Sequence, residues 1–172
     1  MTSRRLDPAP GTTRDVFSRD HAPVLTVDPG DTVTVGSLDA SGYLARQRFP
    51  GEDRPRMIPE ARGHCLTGPI EVRGAQPGDM LALRLLSLRP GDWGWTVAGG
   101  RDTPVTRRLG AAGDPPSWLL WELDSSAGLG RTAEGFTRPL APFLDVMGVA
   151  PAEPGEHSRG GAWRARDVRL RR

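Results

Sequence analysis

Three side chains in this chain have the chemistry to activate a water or attack a carbonyl: Asp39, His64 and Cys65. Asp39 follows the alternating stretch 31–38 and precedes Ala40-Ser41-Gly42, which predicts a place on a loop at a strand exit. A carboxylate there can ligate a divalent metal or orient a water. The same residue type at the same place also closes an Asx turn, which is the plainer reading. His64 stands between Gly63 and Cys65, immediately before Leu66-Thr67-Gly68-Pro69. A neutral imidazole is the commonest metal ligand and a competent base near neutral pH, and a loop histidine can equally be satisfied by a backbone carbonyl. Asp39 and His64 are therefore the candidate catalytic pair and the candidate ligands of one divalent metal, zinc foremost.

Cys65 invites a nucleophilic role, since a thiolate can attack an amide carbonyl. Its nearest histidine is its direct neighbour, and adjacent side chains on an extended chain point to opposite faces. A small buried apolar residue is the better reading. Gly68 and Pro69 shape a turn, and a backbone N–H there is a candidate oxyanion donor. Trp93 and Trp95 alternate around Gly94, either lining a pocket or filling a core. His157 has no partner readable in the sequence. No phosphate loop, Cys-x-x-Cys pair, His-Glu-x-x-His or Gly-x-Ser-x-Gly occurs, so nucleotide, zinc-finger, zincin and serine-hydrolase chemistries lack a carrier.

Short strands and turns must position these groups. Residues 24–27 and 31–38 read as strands flanking Asp28-Pro29-Gly30, where Pro presets φ and Gly takes positive φ in a type II turn. The device recurs at Gln76-Pro77-Gly78-Asp79, ahead of an apolar run over 80–88 that reads as another strand. Leu81, Leu83 and Leu85 are expected to pack with Val33 and Val35 as the core. Strands are also expected around 70–73 and 118–123, the latter with a short helix as its alternative. Residues 41–63 and 99–116 read as irregular connections, and 132–135 as a helical turn. The predicted fold is mainly β, a two-layer β-sandwich with jelly-roll-like connections. Residues 1–22 form a loose lead-in, 23–157 the β-rich domain and 158–172 an Arg-rich disordered tail.

Composition agrees with this. The chain has 172 residues, 37% of them hydrophobic, and its 22 Gly and 17 Pro suit many turns better than long helices. All 23 cationic residues are Arg, but 21 carboxylates nearly cancel them and they are scattered, so no nucleic-acid surface is implied. One cysteine permits no internal disulfide. No signal-peptide h-region follows Arg4 and Arg5, and no apolar run reaches membrane-span length, so a cytoplasmic protein without a membrane partner is expected.

Several separate segments together resemble the acetamidase/formamidase family, hydrolases of small aliphatic amides. They are residues 64–79 from His64-Cys65-Leu66-Thr67-Gly68-Pro69 to Pro77-Gly78-Asp79, Pro29-Gly30-Asp31 with Ser37-Leu38-Asp39-Ala40, Trp93-Gly94-Trp95-Thr96, and residues 138–152 from Arg138-Pro139-Leu140-Ala141-Pro142 onward. The resemblance covers residues 24–157 and implies the sandwich fold, a small amide substrate, and an acidic residue of the Leu-Asp-Ala segment near the active site. It also implies that the family's Gly-Gly-Asn-Asp-like and Asp-x-His segments lie beyond the matched part, leaving the domain incomplete at its C-terminus. A truncated amidase with little activity of its own is one expectation; a non-catalytic β-sandwich remnant or interaction module is the other. Association between copies is allowed by either.

Overall fold

Gly and Pro interrupt this chain every few residues, and its strands are correspondingly short, from two to eight residues. The computed structural model, which describes residues 2–157, is mainly β, with one five-residue helix. The described residues divide into two compact units. One takes residues 2–44, 55–86 and 144–157; the other takes Ala45–Arg54 and Ser87–Phe143.

The first unit holds β1 (Ser3–Leu6), β2 (Thr13–Arg14), β3 (Leu25–Val27), β4 (Thr32–Val35), β5 (Leu66–Thr67) and β6 (Ile70–Val72). Between β3 and β4 the Asp31 N–H donates to the Asp28 carbonyl at 3.0 Å, with Gly30 at φ +89°, as a type II turn requires. The two strands do not pair with each other. β3 runs parallel to β6, Leu25 opposite Ile70, and β4 runs parallel to β1, Val35 opposite Leu6. β2 pairs antiparallel with β5, Thr13 opposite Thr67. The opening residues, read as a lead-in, thus supply two strands and bury Leu6, Thr13, Val16 and Ser18.

The core differs from the expected one. Leu6, Val16, Val27, Tyr43 and Cys65 are its buried hydrophobic side chains, whereas Leu83, Leu85 and Val35 are 48%, 46% and 42% exposed. The turn before them forms as predicted, with the Asp79 N–H on the Gln76 carbonyl at 3.0 Å and Gly78 at φ +99°. Residues 80–90 then carry no strand ladder. Alternation specifies which face of a strand is apolar, but a strand exists only where another backbone accepts its N–H and C=O groups.

The second unit is a four-stranded antiparallel sheet in the order β10 (Thr137–Pro139), β9 (Leu129–Thr132), β8 (Ser117–Asp124), β7 (Trp93–Ala98). β8 is the strand expected at 118–123, and its pairing on both edges excludes the helical alternative. Trp95 packs on Trp118 with ring centroids 5.3 Å apart, and the buried Arg54 guanidinium lies 5.4 Å over the Trp93 ring. Helix α1 (Pro104–Arg108) falls within the stretch read as irregular. Its signal was local: Thr103 as N-cap in a capping box with Thr106, and Pro104 at the first turn. Residues 132–135 form the turn after β9, the Gly135 N–H meeting the Thr132 carbonyl at 3.1 Å.

Candidate functional site

Beyond β4 the chain passes through Gly36-Ser37-Leu38 to Asp39, where it turns sharply. The Asp39 Oδ1 accepts the Tyr43 N–H at 2.6 Å, and the Asp39 carbonyl accepts the Gly42 N–H at 2.8 Å. Asp39 therefore opens a backbone turn over residues 39–42, and its side chain bonds the N–H four residues on, beyond the two-residue reach of an Asx turn. Gly42 makes the turn possible. It sits at φ +72°, and a Cβ on it would stand 2.9 Å from Cβ of Cys65, closer than two carbons can come.

The same close approach joins the turn to the second candidate. The Cys65 N–H donates to the Ala40 carbonyl at 3.0 Å, laying residues 64–65 beside residues 39–40. Further along the two segments, the Thr67 hydroxyl donates to the Gly36 carbonyl at 2.8 Å. Asp39 and His64 thus stand on adjoining backbone segments. Tyr43 anchors the turn from beneath: it is buried, its phenol oxygen accepts from Arg56 at 2.8 Å, and the Arg56 guanidinium lies 4.7 Å from the ring centroid.

The His64 imidazole is mostly covered, with 20% of its side chain exposed, and its Nδ1 lies 3.6 Å from Oδ2 of Asp145, whose side chain is 66% exposed. Asp145 was not among the residues expected here. Its signal in the sequence was slight, a lone carboxylate inside the apolar run 143–149. Two residues before His64, Arg62 is bonded to Asp15 and to Glu156, the latter at 2.5 Å. Burial pushes the Asp15 carboxyl up, but the Arg62 bonds and charge outweigh it and hold it below the ordinary value.

The remaining candidates are accounted for otherwise. Cys65 is buried; that burial pushes its thiol up, and the negative charges of Asp39 and Asp15 push it further, so the thiolate is disfavoured. The Gly68 N–H donates to the Thr12 carbonyl at 2.9 Å and is spent as an oxyanion donor. His157 forms an antiparallel bridge with Phe17, and its Nε2 lies 3.3 Å from the Glu153 carbonyl. Trp93 and Trp95 belong to the β7 sheet. A depression of about 170 Å³ in the second unit, lined by Leu88, Pro90, Leu140 and others, includes none of the three candidates.

Zinc fits these residues poorly. A catalytic zinc takes three protein ligands and keeps a fourth position open. Among the described residues no three His, Cys, Asp or Glu side chains converge, so Asp39 and His64 are at least one ligand short. What the arrangement offers is an imidazole with a carboxylate oxygen 3.6 Å from its Nδ1, on a segment adjoining the one that carries a second carboxylate.

Residues 4–166 match the Acetamidase/Formamidase family. The match extends beyond 24–157 at both ends; residues 158–166 of the Arg-rich tail, expected to be unlike the family, lie inside it but outside the described residues. A putative formamidase of Schizosaccharomyces pombe (strain 972) is 32% identical over 74 residues, a segment that is 41% of this chain and 18% of that protein. The crystal structure of an acetamidase from Bacillus halodurans superposes with a TM-score of 0.65 at 24% identity, over 87% of this chain and 47% of that one. At that identity the likeness speaks for the fold alone. The chain thus spans about half the length of this solved relative.

Proposed function

This chain belongs to the acetamidase/formamidase family, and from that premise we propose that it hydrolyses the carbon–nitrogen bond of small linear amides such as formamide and acetamide, releasing carboxylate and ammonia. The family match over residues 4–166 carries the reading. The backbone bond between Cys65 and Ala40 supports the choice of residues, because it sets the two candidate groups on neighbouring segments.

An amide resists attack because resonance makes its carbonyl carbon a poor electrophile and its nitrogen a poor leaving group. Water must lose a proton as it attacks, and the nitrogen must gain one before the bond breaks. His64 takes the first proton on Nε2 and, as the imidazolium, returns it to the departing nitrogen. Asp39 orients the water through its carboxylate while the Tyr43 N–H fixes the side chain's position. No step is assigned to a metal.

A non-catalytic β-rich module is the second reading. It is favoured by the Gly68 N–H being already bonded and by the short ligand set among the described residues. Ammonia release from formamide and acetamide, with and without added Zn²⁺, separates the two. Turnover is expected to fall about 10²-fold or more in His64→Ala, as for loss of a general base. Asp39→Asn keeps an acceptor for the Tyr43 N–H and removes the charge, so it should lower turnover without unfolding the protein. Cys65→Ala should retain activity. Folded protein that releases no ammonia from either amide would favour the module.

A further inference from the structure

We infer that Asp145 is a positioning residue for His64: its carboxylate selects the imidazole tautomer with hydrogen on Nδ1, leaving Nε2 as the basic nitrogen. This deepens the site proposed above, and its kinetic consequence rests on that reading. The nitrogen facing the carboxylate is Nδ1, at 3.6 Å from Oδ2. A carboxylate only accepts hydrogen bonds, and a neutral imidazole carries one N–H. Of the two neutral tautomers, only the one with hydrogen on Nδ1 places a donor toward Asp145. At 3.6 Å the contact is longer than a hydrogen bond, and the role inferred for Asp145 requires it to shorten when substrate binds, as ligand-free catalytic contacts do.

Asp145 is far from His64 in sequence, and the chain uses several bonds to bring it back. Phe17 and His157 exchange backbone bonds of 3.1 and 2.8 Å, the Gly155 N–H donates to Asp20 at 2.7 Å, and Arg19 donates to the Ala152 carbonyl at 2.6 Å. Glu156 completes the set on Arg62, two residues from His64. Residues 152–157 are thus docked on residues 17–20 and, through Glu156, on Arg62 of the loop that carries the imidazole.

The test is the tautomer of His64 in the full ¹⁵N-labelled chain, read from long-range ¹H–¹⁵N correlations at about pH 8.5, above the ordinary imidazole range. Wild type should carry hydrogen on Nδ1. Asp145→Ala should shift it to Nε2, Asp145→Glu should restore it in part, and His21 and His157 should not change. An unaltered His64 tautomer in a folded Asp145→Ala protein overturns the proposal. The kinetic arm expects kcat to fall about tenfold or more in Asp145→Ala with KM nearly constant, the pattern of a base held in the wrong form. In protein that releases ammonia, an unchanged kcat also overturns it. A tautomer shift in protein that is inactive in every form would uphold the positioning role and sink the amidase reading instead.

Discussion

At the scale of single residues, one glycine does the most to assemble the candidate site. Gly42 combines a positive φ with a position where a methyl group would collide with Cys65 Cβ at 2.9 Å and Sγ at 3.2 Å. Both costs fall on Gly42→Ala, since a side chain is strained at that φ and the neighbour is a buried residue fixed by its own backbone bond to Ala40. The variant should lose about 1–3 kcal/mol of stability in urea unfolding, the range for overpacking with backbone strain. A midpoint matching the parent would show that residues 39–42 and 65 are not in contact in solution. Asp39 illustrates a second point at this scale. Its side-chain bond to the Tyr43 N–H and its proposed work on water are compatible, because a carboxylate has two oxygens and about four acceptor sites.

The element that most departs from expectation is residues 80–88. A Pro-Gly turn and alternating leucines promise a strand, and the turn is present while the ladder is not. Met80, Leu83, Leu85 and Leu86 are exposed as a row. Leu83→Ala should accordingly cost under about 1 kcal/mol, as for an exposed substitution, rather than the roughly 2–5 kcal/mol of a buried leucine. Denaturant unfolding decides between these, and a loss in the higher range would mean that this row is covered in solution. The four-stranded sheet shows the opposite case. Each of β8's edges meets a partner, so its apolar pattern becomes a strand in fact.

Across the whole molecule, ionised carboxylates tie distant parts of the first unit together. The backbone N–H groups of Thr2 and then Asp28 hold the Asp31 carboxyl below its ordinary range, and Arg62 does the same for Glu156. For Asp15, burial works the other way but Arg62 prevails. Because the folded values are depressed, this stabilisation is complete above the ordinary carboxylate range of about pH 4 and is lost as pH falls through the lower folded values. The melting temperature should hold steady from neutral pH to about pH 5 and fall modestly below about pH 4, since exposed pairs contribute little, with a shallower fall in Arg62→Gln, both read by calorimetry. An equally steep fall in the variant would remove Arg62 from the account. No helix among the described residues is long and apolar enough to cross a membrane.

Features that depend on a few neighbouring residues can be read along the chain before any fold is known. The Pro-Gly turns at 28–31 and 76–79, the strand over 118–123, the mainly β class and the family were all legible, because φ preferences, side-chain alternation and motif spacing are local properties. One further local signal was present, the Thr103 capping box. The partners of each strand were not legible. β3 and β4 flank one turn yet run parallel to β6 and β1, and no local pattern states which distant backbone will accept a given N–H. Nor could spacing join Asp145 to His64, since their approach depends on how residues 152–157 dock on residues 17–20 and on Arg62. Only tertiary structure decides such contacts, because the free energy that brings distant segments together is distributed over many bonds, none of them marked at the residues that finally meet.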